Sequence, residues 1–188
     1  GPTGKILLTN EVRYEELYDA FKEQAIALEE GGADVIIIET MSDIEEAKCA
    51  IKAAIENTKC EVACTMTFEK ADENNFYTMM GISPEYMVEE LSNSGITFIG
   101  ANCGNGSYEM IEIVKKIHNT NSEIPIIVHA NAGIPQFIDG KTVFPETPEM
   151  MAKNIERIIE AGASIVGGCC GTTPAHISKI VEVLNKYR

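Results

Sequence analysis

The sequence predicts an α/β fold in which parallel strands are covered by helices. Short β-branched apolar runs alternate along the chain with helix-length stretches that mix apolar and charged residues. The runs are apolar on both faces, as strands of a buried parallel sheet are. Glycines at Gly31, Gly95 and Gly162 each stand one to three residues before such a run, where a helix would end.

Taken in order, residues 12–30 carry Leu17, Phe21, Ile26 and Leu28 among many charges and read as a helix stopped by Gly31-Gly32. The run 35–38, Val-Ile-Ile-Ile, follows as a buried strand ending at Glu39. The same unit recurs as helix 44–57 before strand 62–68, and helix 84–94 before strand 97–103. It recurs again as helix 108–118 before strand 124–131, and helix 147–161 before strand 164–170, with a last helix at 174–186. No linker or low-complexity segment interrupts the chain, so residues 1–188 are expected to form one domain. Five such strands fit either an open doubly wound sheet or part of an eight-stranded barrel. In both, chemistry gathers at the carboxyl ends of the strands.

Composition narrows the function classes. With 188 residues, 45% of them apolar, the chain can fill a sizeable core, which argues against disorder. Acidic residues number 29 against 15 basic ones, a net charge of −14, and lysine and arginine nowhere cluster. No nucleic acid and no anionic membrane surface is expected as a partner. Apolar runs such as 35–38 are far too short to cross a bilayer, and no signal segment is legible, so a soluble, cytoplasmic protein is expected. The six cysteines are too sparse for a disulfide scaffold, adjacent Cys169 and Cys170 are badly placed to pair, and no Cys-x-x-Cys motif supports thiol redox chemistry. The chain opens on Gly1-Pro2-Thr3-Gly4 without a methionine, which suggests a processed or excised piece.

The strand ends collect Glu39-Thr40, Thr67-Phe68, Asn102-Cys103, His129-Ala130-Asn131 and Cys169-Cys170. Catalytic zinc takes three protein ligands and keeps a fourth position open, and thiolate sulfur is a preferred ligand. Cys103, Cys169 and Cys170 would supply that set; the alternative for each is a small buried hydrophobe, the better reading for Cys49, Cys60 and Cys64. Glu39, after four aliphatic residues, reads as a positioned carboxylate, with a plain polar strand end as the alternative. Asn131, before the Ala132-Gly133-Ile134-Pro135 turn, reads as a loop-fixing amide. His129 shares strand parity with Asn131, so both would point inward, and its role stays open between metal support and core packing. His176 follows the Thr173-Pro174 cap pair and belongs to a helix start, while His118 sits near a helix end.

Gly100-Ala101-Asn102-Cys103 and Gly167-Gly168-Cys169-Cys170-Gly171-Thr172-Thr173-Pro174-Ala175-His176-Ile177 resemble the paired cysteine motifs of the zinc-dependent homocysteine S-methyltransferases. That family includes the homocysteine-binding domain of cobalamin-dependent methionine synthase and betaine-homocysteine methyltransferase. Gly1-Pro2-Thr3-Gly4, Ile38-Glu39-Thr40 and Asn131 to Pro135 fall in the family's order, so the resemblance spans the chain.

The resemblance implies a TIM (β/α)8 barrel, incomplete here, with the five strands as the fourth to eighth. The first three strands and an acidic substrate-binding residue would be absent. It further implies Zn2+ held by Cys103, Cys169 and Cys170, Glu39 at the homocysteine amino group, and Asn131 as a placeholder ligand near the substrate. The implied reaction is methyl transfer to a thiol, homocysteine giving methionine, with zinc activating the thiolate. A methyl-corrinoid protein is the favoured donor, since no folate or betaine pocket is legible. The alternative is a non-catalytic zinc-binding or assembly fragment of a split barrel. Strands 35–39 and 164–170 would each lack a neighbour, so self-association, or pairing with an N-terminal segment, is expected.

Overall fold

The computed structural model describes residues 1–9 and 11–187. Along the chain the elements are α1 (Tyr14–Glu30), β1 (Val35–Met41), α2 (Ile44–Asn57), β2 (Glu61–Met66), β3 (Glu69–Lys70), β4 (Phe76–Tyr77), α3 (Pro84–Leu91) and β5 (Phe98–Gly106). There follow α4 (Ser107–Thr120), β6 (Ile126–Asn131), β7 (Gln136–Ile138), β8 (Lys141–Val143), α5 (Pro148–Glu160), β9 (Ala163–Gly168) and α6 (Pro174–Leu184).

Local chemistry fixes the helix starts. Asp43 Oδ1 accepts the N–H groups of Glu45 (2.8 Å) and Glu46 (3.3 Å) at the head of α2. Ser83 and Thr147 cap α3 and α5 in the same way, each followed by a proline whose missing N–H costs nothing in a first turn. At α1, Glu16 reaches back to the Arg13 N–H at 3.0 Å. The expected boundaries agree with these elements to within a few residues. The largest departures are α3, which stops at Leu91 rather than at residue 94, and β5, which continues past Cys103 to Gly106 through an irregular turn.

The main sheet is parallel, in the order β1-β2-β5-β6-β9. This order decides between the two architectures left open by the strand pattern, in favour of the barrel that the resemblance implies. A doubly wound sheet reverses its strand order and carries helices on both faces, whereas sequential order with right-handed crossovers puts every helix on one face. One apolar core accordingly joins α1 through α6 to alternate strand residues: Ile36 and Ile38, Val62 and Cys64, Ile99 and Ala101, Ile126 and Val128. The fold is thus five strands of a (β/α)8 barrel with their helices. Residues of the other parity, among them Val35, Ile37, Glu39, Asn102 and His129, line the face that a closed barrel would enclose, and here Val35 and Ile37 are exposed. β1 and β9 are the two edges, as the strand count predicts.

Two hairpins not expected from the sequence decorate the C-terminal rim: β3–β4 after β2, and β7–β8 after β6. The second turns on Asp139-Gly140, with φ of 50° and 76°. Positive φ at both turn residues is what a two-residue hairpin needs, and Asp-Gly supplies it at low steric cost.

Candidate metal centre

The rim is irregular where the chemistry lies. Pairing of β5 with β6 slips between Asn102 and Gly106, and there Cys103 adopts φ 60° and Gly104 φ 70°. A Cβ on Gly104 would lie 2.5 Å from the Phe68 carbonyl oxygen, so only glycine passes and the chain can turn Cys103 onto the rim. On the far side, the Cys169 N–H donates to Ala130 O (2.7 Å), and the Ala132 N–H donates to Cys170 O (2.9 Å). Asn131 Oδ1 accepts the Cys170 N–H at 3.1 Å. The double cysteine is thereby laced to the end of β6.

These constraints bring the three sulfurs together. Cys103 Sγ lies 3.8 Å from Cys170 Sγ, and Cys169 Sγ 4.0 Å from Cys170 Sγ. All three lie within 4.8 Å of one another, with Cys103 and Cys169 half-buried and Cys170 exposed. Tetrahedral zinc with Zn–S bonds of about 2.3 Å separates its sulfurs by about 3.8 Å, so the cluster fits that ion. Burial, then the neighbouring Cys103 sulfur, raise the Cys169 thiol, and burial with both neighbouring cysteines pushes Cys170 up to about 11. Three thiolates this close repel one another, and a bound dication is what lets them ionise together. All six cysteines are free; Cys49 and Cys64 are buried in the core and Cys60 is half-buried.

Glu39 is exposed on the uncovered face of β1. His129 is half-buried on the same face, its Cδ2 2.8 Å from where a Cβ on Gly167 would stand. Burial lowers its pKa, and the negative charge of Glu39 partly opposes that. Asn131 is buried, and its Oδ1 has the loop-fixing contact described above. His176 is a helix-start residue: the Thr173 N–H donates to its Nδ1 (3.1 Å), which leaves the proton on Nε2 to donate to Glu146 O (3.0 Å).

Two residues to which the sequence assigns no role of their own organise this rim. Glu146 is buried and accepts from the Ser107 N–H (3.1 Å), the Ser107 hydroxyl and Asn154 Nδ2 (3.2 Å). Its own N–H donates to Ala132 O at 2.9 Å. It thus ties together the loops after β5, β6 and β9. Asn102 is fully buried one residue before Cys103. Its place inside the cysteine motif was the only signal of it in the sequence; Glu146 stands beside a helix cap, where an acidic residue is ordinarily exposed.

Known proteins resemble this chain in both sequence and fold. The family model for homocysteine S-methyltransferase matches residues 1–184, and the chain belongs to that family. It is 31% identical over 186 residues to the methionine synthase of Mycobacterium tuberculosis (strain ATCC 25618 / H37Rv), covering 98% of this chain but 16% of that protein. Against the methionine synthase of Mycobacterium leprae (strain TN) the identity is 30%, over 15% of its length. In fold, the chain resembles the apo form of the homocysteine methyltransferase MmuM from Escherichia coli, with a TM-score of 0.74 at 20% identity, over 93% of this chain and 59% of that one.

Proposed function

We propose that this chain carries a zinc-dependent homocysteine S-methyltransferase site, transferring a methyl group to homocysteine to give methionine. The observation that supports this reading best is the trio of sulfurs within 4.8 Å of one another at the carboxyl ends of the strands. Cys103, Cys169 and Cys170 would hold the metal. A thiol with an ordinary pKa near 8.5 is only about 3% thiolate at pH 7, and zinc, when bound, supplies a substrate thiol kept in its nucleophilic thiolate form.

The chain's own residues bind and orient. Glu39 places a carboxylate on the uncovered face, where it pairs with the substrate ammonium. Asn131 holds Cys170 by its Oδ1, which leaves its Nδ2 as a donor toward the substrate carboxylate. His129, kept mostly neutral by burial, packs beside the site without adding a cation. In the transfer itself the substrate sulfur forms a bond to the methyl carbon, and the donor keeps the electron pair of the bond that breaks. The product is a neutral thioether, a weaker ligand than a thiolate.

A methyl-corrinoid protein is the proposed donor. In support, the chain matches methionine synthases of which it spans 16% and 15%, so a donor can reside on another part of such a protein. Six free cysteines fit a reducing compartment, and the cytoplasm is the proposed location. Among the described residues no helix is long and apolar enough to cross a membrane. The two open edges, β1 and β9, favour a second reading in which the chain binds zinc and turns over only when the barrel is completed.

One assay separates these readings. The zinc-loaded chain is mixed with homocysteine and, in parallel, with methylcobalamin, S-methylmethionine or betaine, and methionine is measured. Methionine from methylcobalamin alone supports the first reading in full. Stoichiometric zinc without methionine from any donor supports the second.

A further inference from the structure

The Asn102 side chain uses both ends of its amide. Oδ1 accepts the Thr40 N–H at 2.7 Å and the Thr65 hydroxyl at 2.7 Å. Nδ2 donates to Thr40 Oγ1 at 2.8 Å and to Cys169 Sγ at 4.0 Å. The amide cannot be turned round, because the Thr40 N–H can only donate and so must face an oxygen. Three strands therefore meet at one fully buried side chain.

Thr40 is the unusual partner. It adopts φ 63°, a left-handed conformation that a β-branched residue avoids, and the pairing of β1 with β2 slips between Ile38 and Met41 around it. Asn102 grips both its backbone N–H and its hydroxyl. The residue before Thr40 is Glu39, and the sulfur at the other end of the same amide belongs to Cys169.

We infer that Asn102 is a positioning residue that couples the two halves of the site: it holds Thr40 in its left-handed turn so that Glu39 faces the substrate, and it donates an N–H to the Cys169 thiolate. This rests on the proposed zinc and homocysteine reading. An N–H donor withdraws electron density from a thiolate, so Asn102 adjusts the charge on one metal ligand while fixing the reach of the carboxylate.

The two roles separate in different variants. Asn102→Asp keeps an oxygen for Thr40 and Thr65 but replaces the donor facing Cys169 by a carboxylate oxygen. Asn102→Ala loses both, and adding Thr40→Gly lets the left-handed turn form unaided. The full chain and each variant are loaded with Co2+, whose thiolate charge-transfer absorption reports the electron density on sulfur, and homocysteine is titrated into each.

We expect the charge-transfer band to move to lower energy in Asn102→Asp, Asn102→Ala and the double variant alike. Homocysteine affinity should fall about tenfold in Asn102→Ala and return to within about threefold of the parent in the double variant. A merely structural role would move neither the band nor that rescue. An unshifted band in Asn102→Asp overturns the thiolate contact, and failure of Thr40→Gly to restore affinity overturns the hold on Glu39. If Asn102→Ala does not fold, Asn102→Asp and Thr40→Gly alone carry the test, the latter expected to keep the parental affinity. A parent chain that takes up no cobalt in thiolate ligation overturns the zinc reading itself, and this inference with it.

Discussion

Cys103 and Cys170 stand 67 residues apart in sequence and 3.8 Å apart at their sulfurs. A metal held between them fastens the end of β5 to the loop after β9, across the whole of β6. Binding that exists only in the folded chain adds to its stability, by about 4 kcal/mol when free metal exceeds the dissociation constant a thousandfold. We therefore expect one zinc per chain, and a melting temperature that falls when a chelator removes it. Alanine at Cys103, Cys169 or Cys170 should abolish both the zinc and the response to chelator. Metal analysis with thermal scans decides; full zinc retention by any one variant removes that cysteine from the ligand set.

Glu39→Gln removes a charge from the uncovered face of β1, where homocysteine is proposed to bind, without touching a sulfur. Homocysteine affinity is expected to fall roughly tenfold with zinc content unchanged. Calorimetric titration of the zinc-loaded variant measures it. Unaltered affinity would make Glu39 a plain polar strand end.

Glu146→Ala strips the acceptor from Ser107 and Asn154 in a buried setting. Donors left without partners make this cost about 2–4 kcal/mol, while Glu146→Gln, which can still accept, should cost less. Urea unfolding of the three proteins gives the comparison. Equal stability of parent and Glu146→Ala would mean that water replaces the carboxylate without loss.

His129 supplies a pH dependence with a definite sign. Burial holds its folded-state pKa below the ordinary value, so the unfolded chain binds the proton more readily. The associated stability is complete above about pH 6.5, and it is lost as pH falls from there through the depressed folded value. His129→Gln, which does not titrate, should lose less stability over that window than the parent. Parallel denaturant titrations between pH 5 and pH 8 would reveal equal slopes if His129 is in fact well solvated.

Helices and strands were legible because their signals are local. The Leu17 and Phe21 face of α1, the Ser83-Pro84 and Thr147-Pro148 caps and the Val35 to Ile38 run each declare an element within one or two turns of chain. The strand pattern alone could not choose between an open sheet and a barrel, since that depends on strand order, which no single segment encodes; the resemblance carried by the cysteine motifs chose the barrel, and the strand order agrees with it. The cysteine cluster was legible through a motif. Its supports were not, because Asn102 meets Thr40 across 62 residues and Glu146 meets Ser107 across 39. Nothing near either residue advertises a partner so distant. The β7–β8 hairpin carries a hairpin signal in Asp139-Gly140, but its three-residue strands are too short to show an alternating pattern.

The open edges lead to a prediction about the 188-residue chain produced by itself. β1 and β9 each have one strand neighbour, and in a closed barrel each would have two. Water can satisfy their free backbone groups, but an edge of β-branched residues is also a template for another chain. The exposed side chains increase the drive. Val35 and Ile37 on β1 and Ile165 on β9 lie open, as do Leu28 on α1 and Ile177 and Val181 on α6, the two terminal helices that flank the gap. Each is exposed over about two fifths of its surface, so covering it is worth roughly 1 kcal/mol apiece, and several together favour association. The chain is expected to dimerise or exchange elements, with a melting temperature that rises with protein concentration. Replacing Ile177 and Val181 with lysine should weaken the association while leaving zinc uptake intact, because both lie on a helix remote in sequence from Cys103 and beyond the cap that follows Cys170. Light scattering over a concentration series, paired with thermal unfolding, tests this. A monodisperse monomer with a high and concentration-independent melting temperature would mean that the two edges are stable in water as they stand.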